Sequence, residues 1–305
     1  MPCQLLQEVH KQAMTALDTG NQPLTERQLQ AHIAQALAVT MPDNLESRSL
    51  YRLLCTWFKP VVSGLERIPG EPCLFVGNHS LFALDGLVMT SVMRQGYGRF
   101  LRPMGDKLLF TNDIASRALL SRGIVMGHPE VCGALMAHGQ DLLVFPGGAH
   151  EAVKPSRQRY QLQWKERFGF IKLAARYGYT IMPFGIVGPD EFYSHLIESE
   201  DLADSPPGRL LRQLGLITEH TRHDLLPPLA LGALGTLLPK PQRCFIGFGE
   251  PLSLARYRKR GPGPAQRTKL RDQIASSIEQ QLAQLLLVRE QRRSEDGLLR
   301  RILTL

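Results

Sequence analysis

No stretch of this 305-residue chain is long and apolar enough to cross a bilayer. Its longest apolar run, Leu225 to Leu238 (LLPPLALGALGTLL), has 14 residues, two of them proline, where a spanning helix needs about 20. Such a run predicts a segment lying on a membrane or lining an apolar channel. The opening twenty residues alternate apolar and polar positions and lack the continuous apolar core of a secretory signal, which predicts a protein of the cytosol. Cysteine is scarce: Cys3, Cys55, Cys73, Cys132 and Cys244 are odd in number, scattered and without a C-x-x-C pair. That excludes a disulfide framework or zinc ribbon and fits a reducing compartment. There is no G-x-S-x-G elbow, and Ser80 beside His79 lacks that context, which argues against a serine hydrolase. No G-x-x-x-x-G-K-[ST] loop argues for a P-loop nucleotide hydrolase. The stretch Glu219 to Asp224 offers His220 and His223 but no third ligand at a known spacing, so it reads as a polar loop and no metal is expected.

What is present begins with a core: 43% of residues are hydrophobic and 21% charged, which suits a globular chain. Lys and Arg number 36 against 28 Asp and Glu, for a net charge of +8. From Pro251 to Leu305 there are twelve basic and five acidic residues, so +7 of that charge lies in the last 55 residues. In the same tail Leu270, Ile274, Ile278, Leu282, Leu285 and Leu286 make the stripe of an amphipathic helix. Two readings stay open. One is a terminal helix docked on the core with a solvated basic face. The other is attraction to an anionic membrane surface, at about 1 kcal/mol per basic residue near the lipid. Nucleic acid fits less well, because no aromatic residues interleave a basic patch.

Residues 1–48 read as an N-terminal helical segment, with helices over Leu5 to Leu17 and after Thr25, whose N-capping signature is completed by Gln28. From Leu50, short runs rich in Val, Ile and Phe alternate with helical stretches near 81–95, 113–121, 129–139 and 165–177. The runs are CLFVG (73–77), GIVMG (123–127), LLVFPGG (142–148), IMPFGIVG (181–188) and CFIGFG (244–249). This alternation predicts an α/β fold, a mixed, largely parallel twisted sheet flanked by helices, over 49–255, with added N-terminal helices and a basic amphipathic C-terminal helix over 256–305.

Ligands of such folds sit where strands end and helices begin. At one such place Asn78-His79 follows a strand and Asp85 stands six residues beyond His79. On one continuous helix the two would point about 240° apart. With His79 in the turn and Asp85 in the first helical turn, they can meet, and a carboxylate on one imidazole nitrogen leaves the other free to take a proton. A capping role for Asp85 is the plainer alternative. At the second place Phe145-Pro146-Gly147-Gly148 ends a strand, and two glycines permit positive φ and a close approach of backbone to ligand. Its N–H groups could hold a thioester oxygen or a phosphate, or the segment is an ordinary tight turn.

Asn78-His79-x5-Asp85, then Arg102-Pro103-Met104-Gly105-Asp106, Gly123-Ile124-Val125-Met126-Gly127 and Phe145-Pro146-Gly147-Gly148-Ala149-His150-Glu151, in that order and spacing, resemble the lysophospholipid acyltransferase superfamily. They look most like its branch of type 2 diacylglycerol acyltransferases and plant phytyl ester synthases. Tyr160 to Trp164, Phe170 to Ala174 and Ile181 to Gly185 are similar too, and the likeness covers about residues 49–255. The resemblance implies a glycerol-3-phosphate acyltransferase-like fold. It also implies transfer of a fatty acyl group from acyl-CoA, or acyl carrier protein, to the hydroxyl of a lipid acceptor, with acyl-CoA as co-substrate and no other cofactor. His79 then matches the catalytic base and Asp85 its orienter, while Asn78, Arg102, Pro146, Gly147, Gly148 and Glu151 fall on blocks implied to bind substrate. Phosphatidate-forming members carry four residues between His and Asp and a Phe-Pro-Glu-Gly-Thr-Arg block. This chain has five and Phe-Pro-Gly-Gly-Ala-His, which favours an acceptor without phosphate, such as diacylglycerol or another lipid alcohol. Arg102, Lys107, Arg157 or Arg159 would instead serve a lysophospholipid acceptor. The place implied is peripheral, on the cytosolic face of a membrane. A non-enzymatic lipid- or nucleic-acid-binding protein using the basic tail is the alternative from another class.

Overall fold

A computed structural model describes residues 25–213 and 226–304. The expected helix over Leu5 to Leu17, the polar loop at 219–224 and the first residue of the apolar run, Leu225, lie outside the described residues. The chain starts with two helices, α1 (Glu26–Ala38) and α2 (Leu45–Phe58). Thr25 and Gln28 close a reciprocal capping box on the first, as their spacing predicts. Next come β1 (Val61–Ser63), β2 (Cys73–Gly77), α3 (Leu84–Tyr97), β3 (Arg102–Gly105), α4 (Asp113–Ser121), β4 (Val125–Met126), α5 (Pro129–Ala137) and β5 (Leu142–Val144). They are followed by α6 (Gly148–Ala152), α7 (Gly169–Tyr177), β6 (Thr180–Val187), β7 (Ser194–Ile197), α8 (Ser199–Leu202) and α9 (Pro206–Gln213). The chain ends with β8 (Leu229–Leu231), β9 (Phe245–Phe248), β10 (Leu252–Ser253), α10 (Pro264–Gln291) and α11 (Leu298–Leu303).

Eight strands form a mixed, largely parallel sheet in the order β1-β9-β6-β2-β5-β3-β4, with β10 also paired to β6. Among the described residues its antiparallel pairs are β6 with β9 and β6 with β10. All residues of β2 and β6 are buried, as expected of strands covered on both faces. Successive residues go to opposite layers. Leu74, Val76, Leu142 and Ile181 pack with α1, α5, α7 and α10, whereas Cys73, Phe75, Leu143 and Met182 pack with α2 and α3. Each fully buried side chain of this size contributes about 1.5–3 kcal/mol, so the two layers hold β2 and β5 firmly where their ends carry His79 and the Pro-Gly-Gly turn.

Sequence patterning leaves out the short strands β1, β3 and β10 and the separate ribbon β7-β8, because runs of two to four residues have too little periodicity to read. The stripe at 270–286 does form a helix, and Leu270, Ile274, Ile278, Leu282 and Leu285 are buried. α10 lies so close to the sheet that a β-carbon on Gly185 would stand 3.1 Å from the Leu282 backbone nitrogen. Several basic residues of the tail are occupied internally. Arg300 donates to the carbonyls of Thr56, Trp57 and Pro241, Arg271 to that of Lys165, and Arg289 pairs with Glu191. Among the described residues, no helix is long and apolar enough to cross a membrane.

Candidate active site

β2 ends at Gly77, and Asn78 extends its edge with a side chain. The Asn78 amide donates to the Ile186 carbonyl at 3.0 Å and accepts from the Ile186 N–H at 2.8 Å. The chain then turns through a 3-10 segment, Leu81–Ala83, in which Phe82 and Ala83 are left-handed (φ 60° and 54°). Both conformations are costly for residues with a β-carbon, and such strain gathers at sites that use it. Here the reversal returns Asp85, in the first turn of α3, to His79. Their Nδ1 and Oδ2 lie 2.8 Å apart, with Asp85 fully buried and the His79 side chain 12% exposed. Asp85 Oδ2 also accepts the Ser80 N–H and Oδ1 the Gly86 N–H, both at 2.7 Å. Three donors fix the carboxylate, so the carboxylate fixes the ring. The imidazole is stacked on Phe145, centroids 4.3 Å apart and planes 7° from parallel. No side chain among the described residues bonds its Nε2. Ser80 Oγ, on the next residue, is buried with no hydrogen-bond partner among the described residues.

Phe145 opens the second strand end. Gly148 donates to the Phe145 carbonyl at 2.9 Å and is left-handed (φ 52°). Gly147 is required for another reason: a β-carbon there would stand 2.0 Å from Glu151 Oε2. The Glu151 side chain therefore folds back under the turn, where it is fully buried. Its Oε1 accepts the His79 N–H at 2.7 Å and its Oε2 the Gln163 N–H at 3.1 Å. Burial pushes the Glu151 carboxyl above the ordinary range, against the pull of the Lys154 ammonium and the two amides. Lys154 completes the clamp. Its Nζ donates to the His79 carbonyl at 2.6 Å, to the Glu151 carbonyl at 3.3 Å and to Asp190 Oδ1 at 2.9 Å. Both polar groups of the His79 backbone are thus held by one four-residue segment, Glu151 to Lys154. Asp190 Oδ2 in turn accepts the Tyr160 N–H at 2.7 Å, and the Tyr160 hydroxyl donates to Glu191 Oε1 at 2.7 Å. Burial, with Glu191 and Asp190 nearby, pushes the Tyr160 hydroxyl well above its ordinary value and keeps it a donor.

Residues 59–187, which carry both strand ends, match the family described as Acyltransferase. An uncharacterized protein of Mycobacterium tuberculosis is 32% identical over 236 residues, covering 76% of this chain and 63% of the relative. Over residues 59–187 the chain is similar to the acyltransferase family. Phytyl ester synthase 2, chloroplastic, of Arabidopsis thaliana is 28% identical over 244 residues, 75% of this chain and 34% of the plant protein. The chain thus spans about 63% of the mycobacterial relatives and about a third of the plant one. Among solved structures, the 1-acyl-sn-glycerophosphate (LPA) acyltransferase PlsC from Thermotoga maritima aligns over 79% of this chain and 78% of its own, at 17% identity and a TM-score of 0.46.

In the fold, His79, Asp85, Pro146, Gly147, Gly148 and Glu151 come together. Arg102 does not join them. It is fully buried at the start of β3, with Nε on the Gly123 carbonyl at 2.9 Å, Nη2 on the Ala36 carbonyl at 2.8 Å and Nη1 on Gln140 Oε1. Burial lowers the Arg102 guanidinium to about 10, and the side chain ties α1 to the sheet. Asn78 is likewise occupied by the backbone of β6. Arg157 pairs on the surface with Glu200 at 2.7 Å. Sequence reasoning missed Lys154, Asp190 and Glu191, and gave Tyr160, which it placed in a similar block, no role of its own. Lys154 follows the Pro-Gly-Gly block closely enough to have been suspected, but Asp190 lies 36 residues further on, and only folding brings it near.

Proposed function

We propose that this chain moves a fatty acyl group from a thioester donor to the hydroxyl of a lipid alcohol such as diacylglycerol, with His79 as general base. The observation that carries the reading is the 2.8 Å contact of His79 Nδ1 with a buried Asp85, beside a Pro-Gly-Gly turn. An Nδ1–H held by carboxylate leaves the Nε2 lone pair to receive the acceptor's hydroxyl proton. The alcohol oxygen attacks the thioester carbonyl and forms a C–O bond. The tetrahedral intermediate collapses with cleavage of C–S, and the imidazolium returns its proton to the departing thiolate. No covalent enzyme intermediate is needed, because a thioester is already activated. Asp85 stabilises the transient imidazolium, and Glu151 and Lys154 hold the histidine backbone.

An acceptor without a phosphate head is supported by the burial of Arg102 and by relatives named for phytyl ester synthesis. A lipid source is supported by the rim of the site. Phe82, three residues after His79, packs edge-on to Tyr193, whose hydroxyl bonds the Leu237 carbonyl. Phe82, Leu234, Leu237 and Leu238 are all more than half exposed, so the apolar segment and the histidine share one edge, suited to peripheral contact with a membrane. The test is incubation of purified protein with a panel of acyl thioesters and mixed lipid alcohols, identifying any new ester by mass. His79→Ala is expected to slow transfer by about 10²–10⁴-fold. Undiminished ester formation by that variant sinks the role of His79, and thiol release without any ester moves the reading to a thioesterase.

A further inference from the structure

A cleft of about 470 Å³ opens directly behind the Pro-Gly-Gly turn, lined by Val144, Phe145, Pro146, Arg167, Phe168 and Lys172 among others. That volume lies in the range of small-ligand sites. One wall is Phe145, the ring on which His79 is stacked, so the cleft and the candidate base share a side chain. Two cations line it, Arg167 and Lys172, and a third, Arg271, lies against its Phe168 wall. Arg167 is anchored on the turn by donating to the carbonyls of Gly147 at 2.8 Å and Pro146 at 3.1 Å. Lys172 is exposed on the first turn of α7 and, among the described residues, bonds no other side chain. Arg271, from α10, lies over the Phe168 ring, its Cζ 5.2 Å from the centroid, and is steered there by the Lys165 carbonyl at 3.0 Å. Arg267 sits one helical turn before Arg271 on the same face. Against these stand Glu166 in the lining and Asp272, which pairs with Arg271. The surplus is positive, and the walls between the charges are aromatic.

Resting on the acyl-transfer reading, we propose that this cleft binds the phosphate-bearing arm of the thioester donor, with Lys172 on phosphate and Arg271 adding positive charge at its edge. Arg167 acts as a positioning residue that ties the cleft to the turn. The geometry explains why a basic cluster lies beside a site whose acceptor carries no phosphate: the anion belongs to the donor. A phosphorylated pantetheine arm is common to coenzyme A and to acyl carrier protein, and the cleft is built for that shared chemistry.

The test compares palmitoyl-CoA, palmitoyl-acyl carrier protein and palmitoyl-pantetheine, which lacks phosphate, as donors for wild type, Lys172→Glu and Lys172→Arg. Charge reversal is expected to raise KM for a phosphate-bearing donor roughly tenfold relative to palmitoyl-pantetheine, the size of one lost hydrogen bond to a charged group, and Lys172→Arg restores it. A rise confined to palmitoyl-CoA names coenzyme A as the donor, and one confined to the carrier protein names that protein. Equal effects on all three donors, or none, overturn the proposal. Titration calorimetry with free coenzyme A and with phosphopantetheine separates this from the acyl-transfer reading. If no donor yields ester, acyl transfer fails, while a roughly tenfold loss of affinity in Lys172→Glu still upholds the cleft. Binding that is absent from wild type, or equal in wild type and variant, overturns it.

Discussion

Replacing Asp85 by Asn changes one atom and tests the whole arrangement at the histidine. The carboxylate accepts three bonds, His79 and Ser80 on Oδ2 and Gly86 on Oδ1, and an amide has only one oxygen with which to do so. If the amide nitrogen takes the Oδ1 position it meets the Gly86 N–H, donor against donor. The imidazole then keeps its orientation but loses the charge that stabilises its protonated form. If the nitrogen takes the Oδ2 position it meets the Ser80 N–H and drives His79 Nδ1 to accept, which puts the ring proton on Nε2, where the base is needed. The first arrangement orphans one buried donor, at a cost of about 1–3 kcal/mol, and is the cheaper. In both, transfer is expected to slow by about 10²–10⁴-fold. The assay is ester formation under saturating donor and acceptor, run beside a thermal melt to establish that the variant folds. A folded Asp85→Asn protein retaining a tenth or more of the wild-type rate would refute the pairing as a catalytic device and return Asp85 to helix capping.

Two further outcomes follow from the surrounding structure. Arg102→Met orphans two buried carbonyls and the Gln140 amide oxygen, so chemical denaturation should show a loss of about 3 kcal/mol or more with KM for donor and acceptor unchanged in the folded protein; a KM shift at intact stability would contradict a structural Arg102. Glu191 supplies a pH signature. Burial pushes its carboxyl up, but the Tyr160 hydroxyl and Arg289 outweigh this and hold it below its ordinary value. A depressed folded value means that its stabilisation is present above the unfolded value near 4.5 and lost as pH falls through the folded one. The difference in Tm between wild type and Glu191→Gln should therefore be largest near neutrality and shrink in acid. A difference constant from pH 7 to pH 3 would count against it. Glu151, shifted the other way, contributes equally to both proteins and cancels.

The residues of the proposed site were legible because their spacing has local meaning. His79-x5-Asp85 after a buried run, and Pro-Gly-Gly at the end of another, place donors and acceptors through turns of fewer than ten residues. The alternation of strands and helices was legible for the same reason, since a strand or helix declares itself within its own length. The basic tail was only half legible. Its charge count suggested an address for an anionic surface, yet Arg289 and Arg300 are engaged inside the fold and the apolar stripe covers β6 and β9. Arg102 shows the same limit from the other side, a charge whose partners, Ala36 and Gly123, lie 66 and 21 residues away.

Near-neighbour chemistry is thus written along the chain: the His-Asp pair, the glycine turn, the capping box of α1. What holds the histidine by both ends of its peptide, what buries Arg102, and which cations meet behind Phe145 depend on segments separated by tens to hundreds of residues. Burial and long-range hydrogen bonds assign those roles, and neither has a period or a spacing that a linear pattern can register.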